Sequence, residues 1–164
     1  MGRVAILGAG GTIGAALARR LVAQGTPLLL VGRPSDRLSA VARETGQPEL
    51  NCDFQASQSL EDLLRTAVSA EQPLTGIVNC IGSVLLKPAH STSDDEFRRV
   101  VETNLFTAFA AVRTAATLLR ESGGGSVVVF SSAAAEIGLQ NHEAIAAAKA
   151  GVIGLGRAAA APDA

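Results

Sequence analysis

Short apolar runs alternate with segments of helical periodicity along the 164 residues of the chain. The apolar runs predict five strands, at residues 3–8, 28–31, 50–54, 74–80 and 126–130. The periodic segments predict helices at 12–24, 35–44, 57–70, 93–121 and 141–161, the fourth being one long helix or a helix pair. Continuous apolar strands between helices are typical of a parallel sheet covered on both faces. Right-handed crossovers then predict a three-layer, doubly wound α/β fold with strand order 3-2-1-4-5, as one domain over residues 1–164.

Composition narrows the class of protein and its partners. Hydrophobic residues make up 48% of the chain, which is enough to bury a core, and the net charge is −1 without a long basic run. Nucleic acid and anionic membrane surfaces are therefore not expected as partners. The first apolar run ends at Gly8, too early for a signal peptide or a membrane span. We expect a cytoplasmic protein.

The two cysteines, Cys52 and Cys80, each fall at the end of a predicted strand. In the predicted order two other strands separate them, at about 4.8 Å per step. This separation is too large for a disulfide. We expect two free thiols that act as small buried hydrophobes.

A glycine-rich loop follows the first predicted strand and reads Gly8-Ala9-Gly10-Gly11-Thr12-Ile13-Gly14. The glycines at 8, 11 and 14 permit a tight turn and let backbone amides approach a pyrophosphate at a helix N-terminus. The position of the loop, at the first strand-to-helix turn of an α/β chain, favours a dinucleotide over a glycine turn without a ligand.

The end of the second predicted strand bears on which dinucleotide binds. A carboxylate there would hydrogen-bond the ribose hydroxyls of NAD, but the residues are Val31-Gly32-Arg33. Arg33 offers a positive charge and paired N–H donors to a 2′-phosphate. The sequence therefore predicts NADP(H) as cofactor, unless Arg33 is an ordinary surface arginine.

The glycine loop occurs together with an aspartate after the third strand (Asp53), an asparagine and a glycine after the fourth (Asn79 and Gly82) and a lysine helix after the fifth. This combination resembles the short-chain dehydrogenase/reductase family over residues 3 to about 160. The glycine loop matches one of the family's spacings, although Leu7 replaces its threonine. The resemblance implies that Asp53 contacts the adenine edge. It also implies that Asn79-Cys80-Ile81-Gly82 lines the adenosine ribose and braces the sheet.

The resemblance further implies a set of catalytic positions. Asn104 matches the asparagine of the family's proton relay, Ser132 the serine that orients the carbonyl oxygen, and Lys149 the lysine that holds the nicotinamide ribose. Taken singly, these residues and those that would contact the adenosine have other roles available, as turn formers, helix caps or plain polar helix residues.

The proton donor of the family is absent. The tyrosine position, four residues before Lys149, is Ile145, and the chain contains no tyrosine at all. A divergent branch of the family, similar to enoyl-acyl-carrier-protein reductases, places its tyrosine seven residues before the lysine, where this chain has His142. An imidazole with a pKa near ~6.5 is a competent proton donor at neutral pH. His142 is thus the candidate donor and Glu143 a weaker one, while a polar residue at a helix start is the alternative for His142.

Two functions follow from this departure. The chain is either an NADP(H)-dependent oxidoreductase that transfers hydride to or from a carbonyl, alcohol or enoyl substrate, or a catalytically inactive dinucleotide-binding regulatory or partner protein. The family's later strands and its substrate-binding segment have no counterpart in these 164 residues, so we expect a missing C-terminal segment beside the fifth strand. We also expect a small-molecule substrate and a homo-oligomer through the alanine-rich helices around 97–119 and 141–161, internal packing of those alanines being the alternative.

Overall fold

The computed structural model describes residues 2–54 and 60–161. It contains a five-stranded sheet of β1 (Arg3–Leu7), β2 (Leu28–Gly32), β3 (Glu49–Asn51), β4 (Leu74–Asn79) and β5 (Ser126–Val129). The strand order is β3-β2-β1-β4-β5. β1 pairs in parallel with both β2 and β4, and β2 pairs in parallel with β3. The predicted Rossmann-like fold and its strand order are confirmed.

Seven α-helices are seen in the described residues: α1 (Thr12–Ala23), α2 (Asp36–Thr45), α3 (Leu60–Ala67), α4 (Asp94–Val101), α5 (Thr107–Glu121), α6 (Ala134–Ile137) and α7 (Glu143–Ala159). A π-helical turn (Glu102–Phe106) joins α4 to α5, and a 3-10 turn (Ala89–Ser91) precedes α4. None of these helices is long and apolar enough to cross a bilayer.

The chain divides into two compact units, Met1–Cys80 with Arg113–Val128, and Ile81–Val112 with Val129–Ala164. Within the first unit, α1 and α2 pack their small and branched residues on β1 and β2, and the last three residues of β1 and all of β2 are buried. This core includes Ile6, Leu28, Leu30, Ala18 and Leu38. Each fully buried aliphatic side chain of this size stabilises the unit by about 1.5–3 kcal/mol relative to exposure. The prediction of one domain stays a prediction.

The second unit has a smaller core between α4 and α7. Val100 from α4 and Ala144, Ile145 and Ala148 from α7 are buried together. Small residues at 144 and 148 lie one turn apart on α7 and let the two helices approach closely. This core fixes the helix that carries Lys149.

Several predicted boundaries were wrong. The third strand is Glu49–Asn51 rather than 50–54, because the chain turns at Phe54. The last helix begins at Glu143 rather than 141, because Asn141 has a left-handed backbone (φ 62) and His142 is not helical. The four-residue α6 was not predicted. The start predicted for the third helix, at Ser57, lies outside the described residues.

The prediction that the cysteines form no disulfide is confirmed, but the expectation that both are buried holds for Cys52 alone. Cys52 and Cys80 are both free thiols; Cys52 is buried and Cys80 is half-buried. Burial raises the pKa of Cys80 to about 11. Both thiols therefore stay protonated and unreactive at neutral pH.

Candidate active site

The glycine loop of the first unit forms a tight turn between β1 and α1. Gly8 has a positive φ of 78°. A Cβ atom on Gly14 would lie only 2.4 Å from the Gly8 carbonyl oxygen, and one on Gly10 would lie 3.1 Å from the backbone nitrogen of Leu38. Side chains at these positions would therefore fill the space that lets the backbone turn.

The first turn of α1 is open to an anion. No side chain caps this end of the helix at Gly11, and the first turn contains no acidic residue. Thr12 and Ile13 are exposed there. Uncapped N–H groups and the positive end of a helix dipole suit a phosphate group. The residues present thus fit the pyrophosphate predicted from the sequence.

Three further predicted cofactor residues follow strands of the first unit. Arg33 comes directly after β2, is exposed, and forms no hydrogen bond or ion pair with any other described residue. Asp53 follows β3 and is also exposed. Asn79 is the last residue of β4 and is 3% exposed. A guanidinium that has no partner among the described residues fits a phosphate ligand.

In the second unit, Asn104 lies in the π-helical turn and is 1% exposed. Its Oδ1 atom accepts a hydrogen bond from the backbone N–H of Ser83 (3.1 Å). Its Nδ2 atom donates to the Ser83 hydroxyl (3.0 Å) and to the carbonyl of Val100 (3.0 Å). π-helical turns are frequent at functional sites, and here the side-chain amide bonds the carbonyl four residues back. Asn104 is therefore held in one orientation.

Lys149 lies close to this amide. A Cβ atom on Gly82 would be 3.2 Å from Asn104 Oδ1 and 3.8 Å from Lys149 Nζ, so both polar groups lie beside Gly82. Lys149 is 8% exposed, and its Nζ donates to the carbonyl of Phe130 at 2.8 Å. Burial of the charged form lowers the pKa of Lys149. We call Gly82, Ser83, Asn104 and Lys149 the polar cluster.

The two serines after β5 make different contacts. The Ser131 hydroxyl donates to the backbone carbonyl of Lys149 at 2.9 Å. The Ser132 hydroxyl accepts from the backbone N–H of Ala134 at 3.2 Å, near the start of α6. Because that bond uses only an acceptor site, the Ser132 O–H remains able to donate. The predicted role of Ser132 in orienting a carbonyl stays a prediction.

Ile145 and His142 differ in their surroundings. Ile145 is 4% exposed and packs against Val100 and Ala148, so its position belongs to the core. His142 precedes α7, and its Nδ1 atom lies 2.7 Å from the carbonyl oxygen of Gln140. Seven residues, or roughly 10 Å of helical rise, separate His142 from Lys149. The structure brings Asn104, Gly82 and Lys149 together, and it shows His142 at the helix start with a local contact.

The sequence did not point to two groups that hold the side chains of the polar cluster in place. Ser83 holds both ends of the Asn104 amide, and its position directly after Gly82 was the available signal. The carbonyl of Phe130 is the hydrogen-bond acceptor for Lys149. A backbone atom carries no side-chain signature, so only the tertiary structure reveals it.

Residues 3–163 match the family model for short chain dehydrogenase. The chain belongs to the short-chain dehydrogenase family. A reductase of Mycobacterium tuberculosis, (5R,7aS)-5-hydroxy-7a-methyl-1-oxo-2,3,5,6,7,7a-hexahydro-1H-indene-carboxyl-CoA reductase, is 30% identical over 96% of this chain and 63% of its own length. The NADP-dependent (R)-specific alcohol dehydrogenase of Lentilactobacillus kefiri is 30% identical over 74% of this chain and 50% of its own length. The chain thus spans less than two thirds of these short-chain dehydrogenase relatives.

Solved structures of the short-chain dehydrogenase family share the fold. The crystal structure of a short chain dehydrogenase from Mycobacterium smegmatis superimposes with a TM-score of 0.89 at 27% identity. The superposition covers 97% of this chain and 70% of that one. The order of strands and helices described above is therefore that of the family.

Proposed function

We propose that this short-chain dehydrogenase binds NADP(H) and acts as an oxidoreductase on a carbonyl, alcohol or enoyl group of a small-molecule substrate. The observation that carries the proposal is the buried ammonium of Lys149 beside Asn104 and Gly82. A charge removed from water without an opposite charge costs free energy. Charged groups in such an environment cluster at functional sites.

Each predicted cofactor residue has a proposed part in binding. The loop of Gly8, Gly10, Gly11, Thr12, Ile13 and Gly14 offers backbone N–H groups to the pyrophosphate, and Arg33 offers its guanidinium to the 2′-phosphate. Asp53 contacts the adenine, whereas Asn79, Ile81 and Gly82 contact the adenosine ribose. Lys149 donates hydrogen bonds to the nicotinamide ribose. The NADP-dependent relative from Lentilactobacillus kefiri supports the choice of NADP(H).

When bound, the nicotinamide supplies or accepts a hydride, and this chain's residues must handle the proton. We propose that Ser132 orients the substrate oxygen through its free O–H and that Asn104 belongs to the proton relay. His142 is the proposed proton donor. Because its Nδ1 atom already donates to the Gln140 carbonyl, Nε2 is the atom that would gain and lose the proton.

A fluorescence titration tests the cofactor site. The chain has no tryptophan and no tyrosine, so the emission of NADPH is measured without interference from the protein. We expect saturable binding of NADPH and weaker binding of NADH. Arg33→Ala should reduce this preference about tenfold or more, because a charge-assisted hydrogen bond is lost. Arg43→Ala, at the far end of α2, is the matched control and should leave both affinities unchanged.

An oxidation assay tests the chemistry. NADPH consumption is followed over a panel of small carbonyl and enoyl compounds, with the wild-type chain and with His142→Ala. Loss of turnover with intact NADPH affinity would support the role of His142. Binding of NADPH without turnover on any substrate would instead favour the alternative, a non-catalytic dinucleotide-binding protein.

We also propose that the chain self-associates through helices of the second unit, but through phenylalanines and not through the alanines of α5. Phe97, Phe106 and Phe109 are 44–49% exposed along α4, the π-helical turn and α5. Ala108 and Ala111, which were expected at the interface, are buried within the chain itself and cannot contact a second copy. The proposed interface therefore rests on these three phenylalanines. Light scattering at micromolar concentration tests this, and a monomer would contradict it.

A further inference from the structure

Segment 81–88 carries Gly82 and Ser83 of the polar cluster but has no helix or strand of its own. Alternate residues anchor it. Ser83 bonds Asn104, Leu85 packs on the core that contains Ile145, and Lys87 makes the polar contacts described below. The intervening Val84 and Leu86 are 70% and 64% exposed. This pattern is that of an extended chain with one face on the protein, so the contacts of Leu85 and Lys87 help to fix the position of Ser83.

Lys87 connects the segment to two other parts of the second unit. Its Nζ atom donates to both carboxylate oxygens of Glu96 on α4, at 2.9 and 2.7 Å. Its backbone N–H donates to the carbonyl of Asn141, two residues before α7, at 2.8 Å. One residue thus joins the segment to the start of α4 and to the start of the helix that carries Lys149.

Glu96 is itself held in place. Its Oε2 atom accepts from the backbone N–H of Ser93 (2.8 Å), while the Ser93 hydroxyl accepts from the N–H of Glu96 (3.2 Å), which forms a capping box. Hydrogen bonds from Lys87 and Ser93 lower the pKa of Glu96 to about 2. The carboxylate is therefore fixed in position and fully charged at neutral pH.

Asn141 is the other end of the Lys87 contact. It is the one non-glycine residue of the described chain with a positive φ (62°). Asparagine tolerates this left-handed conformation better than most residues. The carbonyl of this same residue accepts the hydrogen bond from the Lys87 N–H, directly before His142 and α7. A locally unfavourable backbone held by a specific hydrogen bond indicates that the contact is built into the fold.

We infer that the Lys87–Glu96 ion pair positions segment 81–88 so that Ser83 holds the Asn104 amide inside the polar cluster. Lys87 and Glu96 are positioning residues, since they act on the cluster through Ser83. The catalytic consequence rests on the proposed function, whereas the positioning itself is measured without cofactor or substrate.

Amide hydrogen exchange by NMR on the full chain tests the inference. Glu96→Gln removes the charge but keeps the capping box, because glutamine serves equally at this position. We expect the backbone amides of Ser83 and Lys87 to exchange about two- to fivefold faster, the range given by loss of a partly exposed ion pair. The side-chain amide signal of Asn104 should shift as well. Lys87→Arg keeps a bidentate pair and should retain wild-type exchange.

Glu44→Gln is the matched control. It breaks an equally well-formed bidentate pair with Arg19 in the first unit and should leave exchange at Ser83 unchanged. Equal exchange at Ser83 in wild type and Glu96→Gln would overturn the inference. An equal effect of Glu44→Gln would also overturn it, because the change would then reflect general destabilisation.

Kinetics separate this inference from the proposed function. If the chain turns over substrate, Glu96→Gln should lower kcat severalfold with little change in NADPH affinity, and Lys87→Arg, which keeps the ion pair, should retain the wild-type kcat. An unchanged kcat together with faster exchange at Ser83 would refute the catalytic consequence. If the wild-type chain binds no NADPH, the proposed function fails, and the exchange data still decide whether the ion pair positions Ser83.

Discussion

Replacing Lys149 by methionine should make the cofactor-free protein more stable. The lysine is 8% exposed and its ammonium donates to a single carbonyl, that of Phe130, in the contacts of the described residues. Methionine keeps most of the apolar length of the side chain and removes the charge. The prediction follows from the interpretation that the charge is retained for a ligand and not for the fold.

The magnitude comes from two opposing contributions. Relief of the desolvation of a buried ion is worth several kcal/mol after relaxation. Loss of a hydrogen bond from a charged donor costs about 1.5–3 kcal/mol. The net gain in the free energy of unfolding should be about 1 kcal/mol at neutral pH, which corresponds to a rise in Tm of roughly 2–4 °C for a chain of this size.

The pH dependence has a definite sign. Burial lowers the pKa of Lys149 from its ordinary value of 10.5. The cost of charging it in the folded state is fully present below the folded pKa, and it disappears as pH rises through 10.5. The advantage of Lys149→Met should therefore be largest at neutral pH and should shrink in alkali.

Urea unfolding followed by circular dichroism measures the free energy, and NMR measures the pKa directly. The chain has two lysines, Lys87 and Lys149, so selective 13C-lysine labelling gives two ε-carbon signals. The Lys149→Met spectrum assigns them. Arg157→Met, which removes an exposed cation from the last turn of α7, is the matched control and should cost about 0.3–1 kcal/mol through the helix dipole.

Two results would refute the reasoning. If Lys149→Met lowers the free energy of unfolding, the ammonium stabilises the fold by itself and no ligand is needed to explain it. If the variant binds NADPH as tightly as the wild type, Lys149 does not contact the cofactor. Increased stability with weakened binding is the expected outcome.

Three further predictions concern stability and are checked by urea unfolding. Gly14→Ala should lower the free energy of unfolding by about 1–3 kcal/mol through overpacking, because its Cβ would lie 2.4 Å from the Gly8 carbonyl oxygen. Gly154→Ala, whose Cβ would meet nothing within 4 Å, should instead raise it by about 0.5–1 kcal/mol. Equal losses in the two variants would contradict this prediction. Ile145→Ala should cost about 2–4 kcal/mol, and a smaller loss would show that the side chain is not part of the core. The pKa of Glu96 is lowered from 4.5 to about 2, so its contribution to the free energy of unfolding should be lost as pH falls from the higher value to the lower. Glu96→Gln should lack this loss. The same acid profile in Glu96→Gln and in the wild type would argue against the pair with Lys87.

The strands were predictable where the pattern was local. All of β2 and the last three residues of β1 are buried, continuous apolar runs, and the bounds of both strands differ from the prediction by one residue. The third strand was misplaced by a residue at its start and by three at its end, because Cys52 is buried after the strand has ended. The four-residue α6 is too short for helical periodicity to indicate it.

The polar cluster shows where sequence reasoning ends. Family resemblance pointed to Asn104 and Lys149, and the structure places both beside Gly82. Ser83 bonds Asn104 across 21 positions of sequence, and Lys149 bonds the Phe130 carbonyl across 19. No local pattern encodes such contacts, since they depend on how separate segments come together.

The order of strands and helices and the glycine turn after β1 can be predicted from local sequence, because periodicity and backbone conformation are local properties. The sequence also shows that the chain has no tyrosine to move a proton. The burial of Ile145 in the core, and the contacts by which Lys87 joins the polar cluster's segment to two helices, are visible only in the folded chain. Burial and long-range hydrogen bonds exist only after the chain has packed, and these two properties define the environment of Lys149.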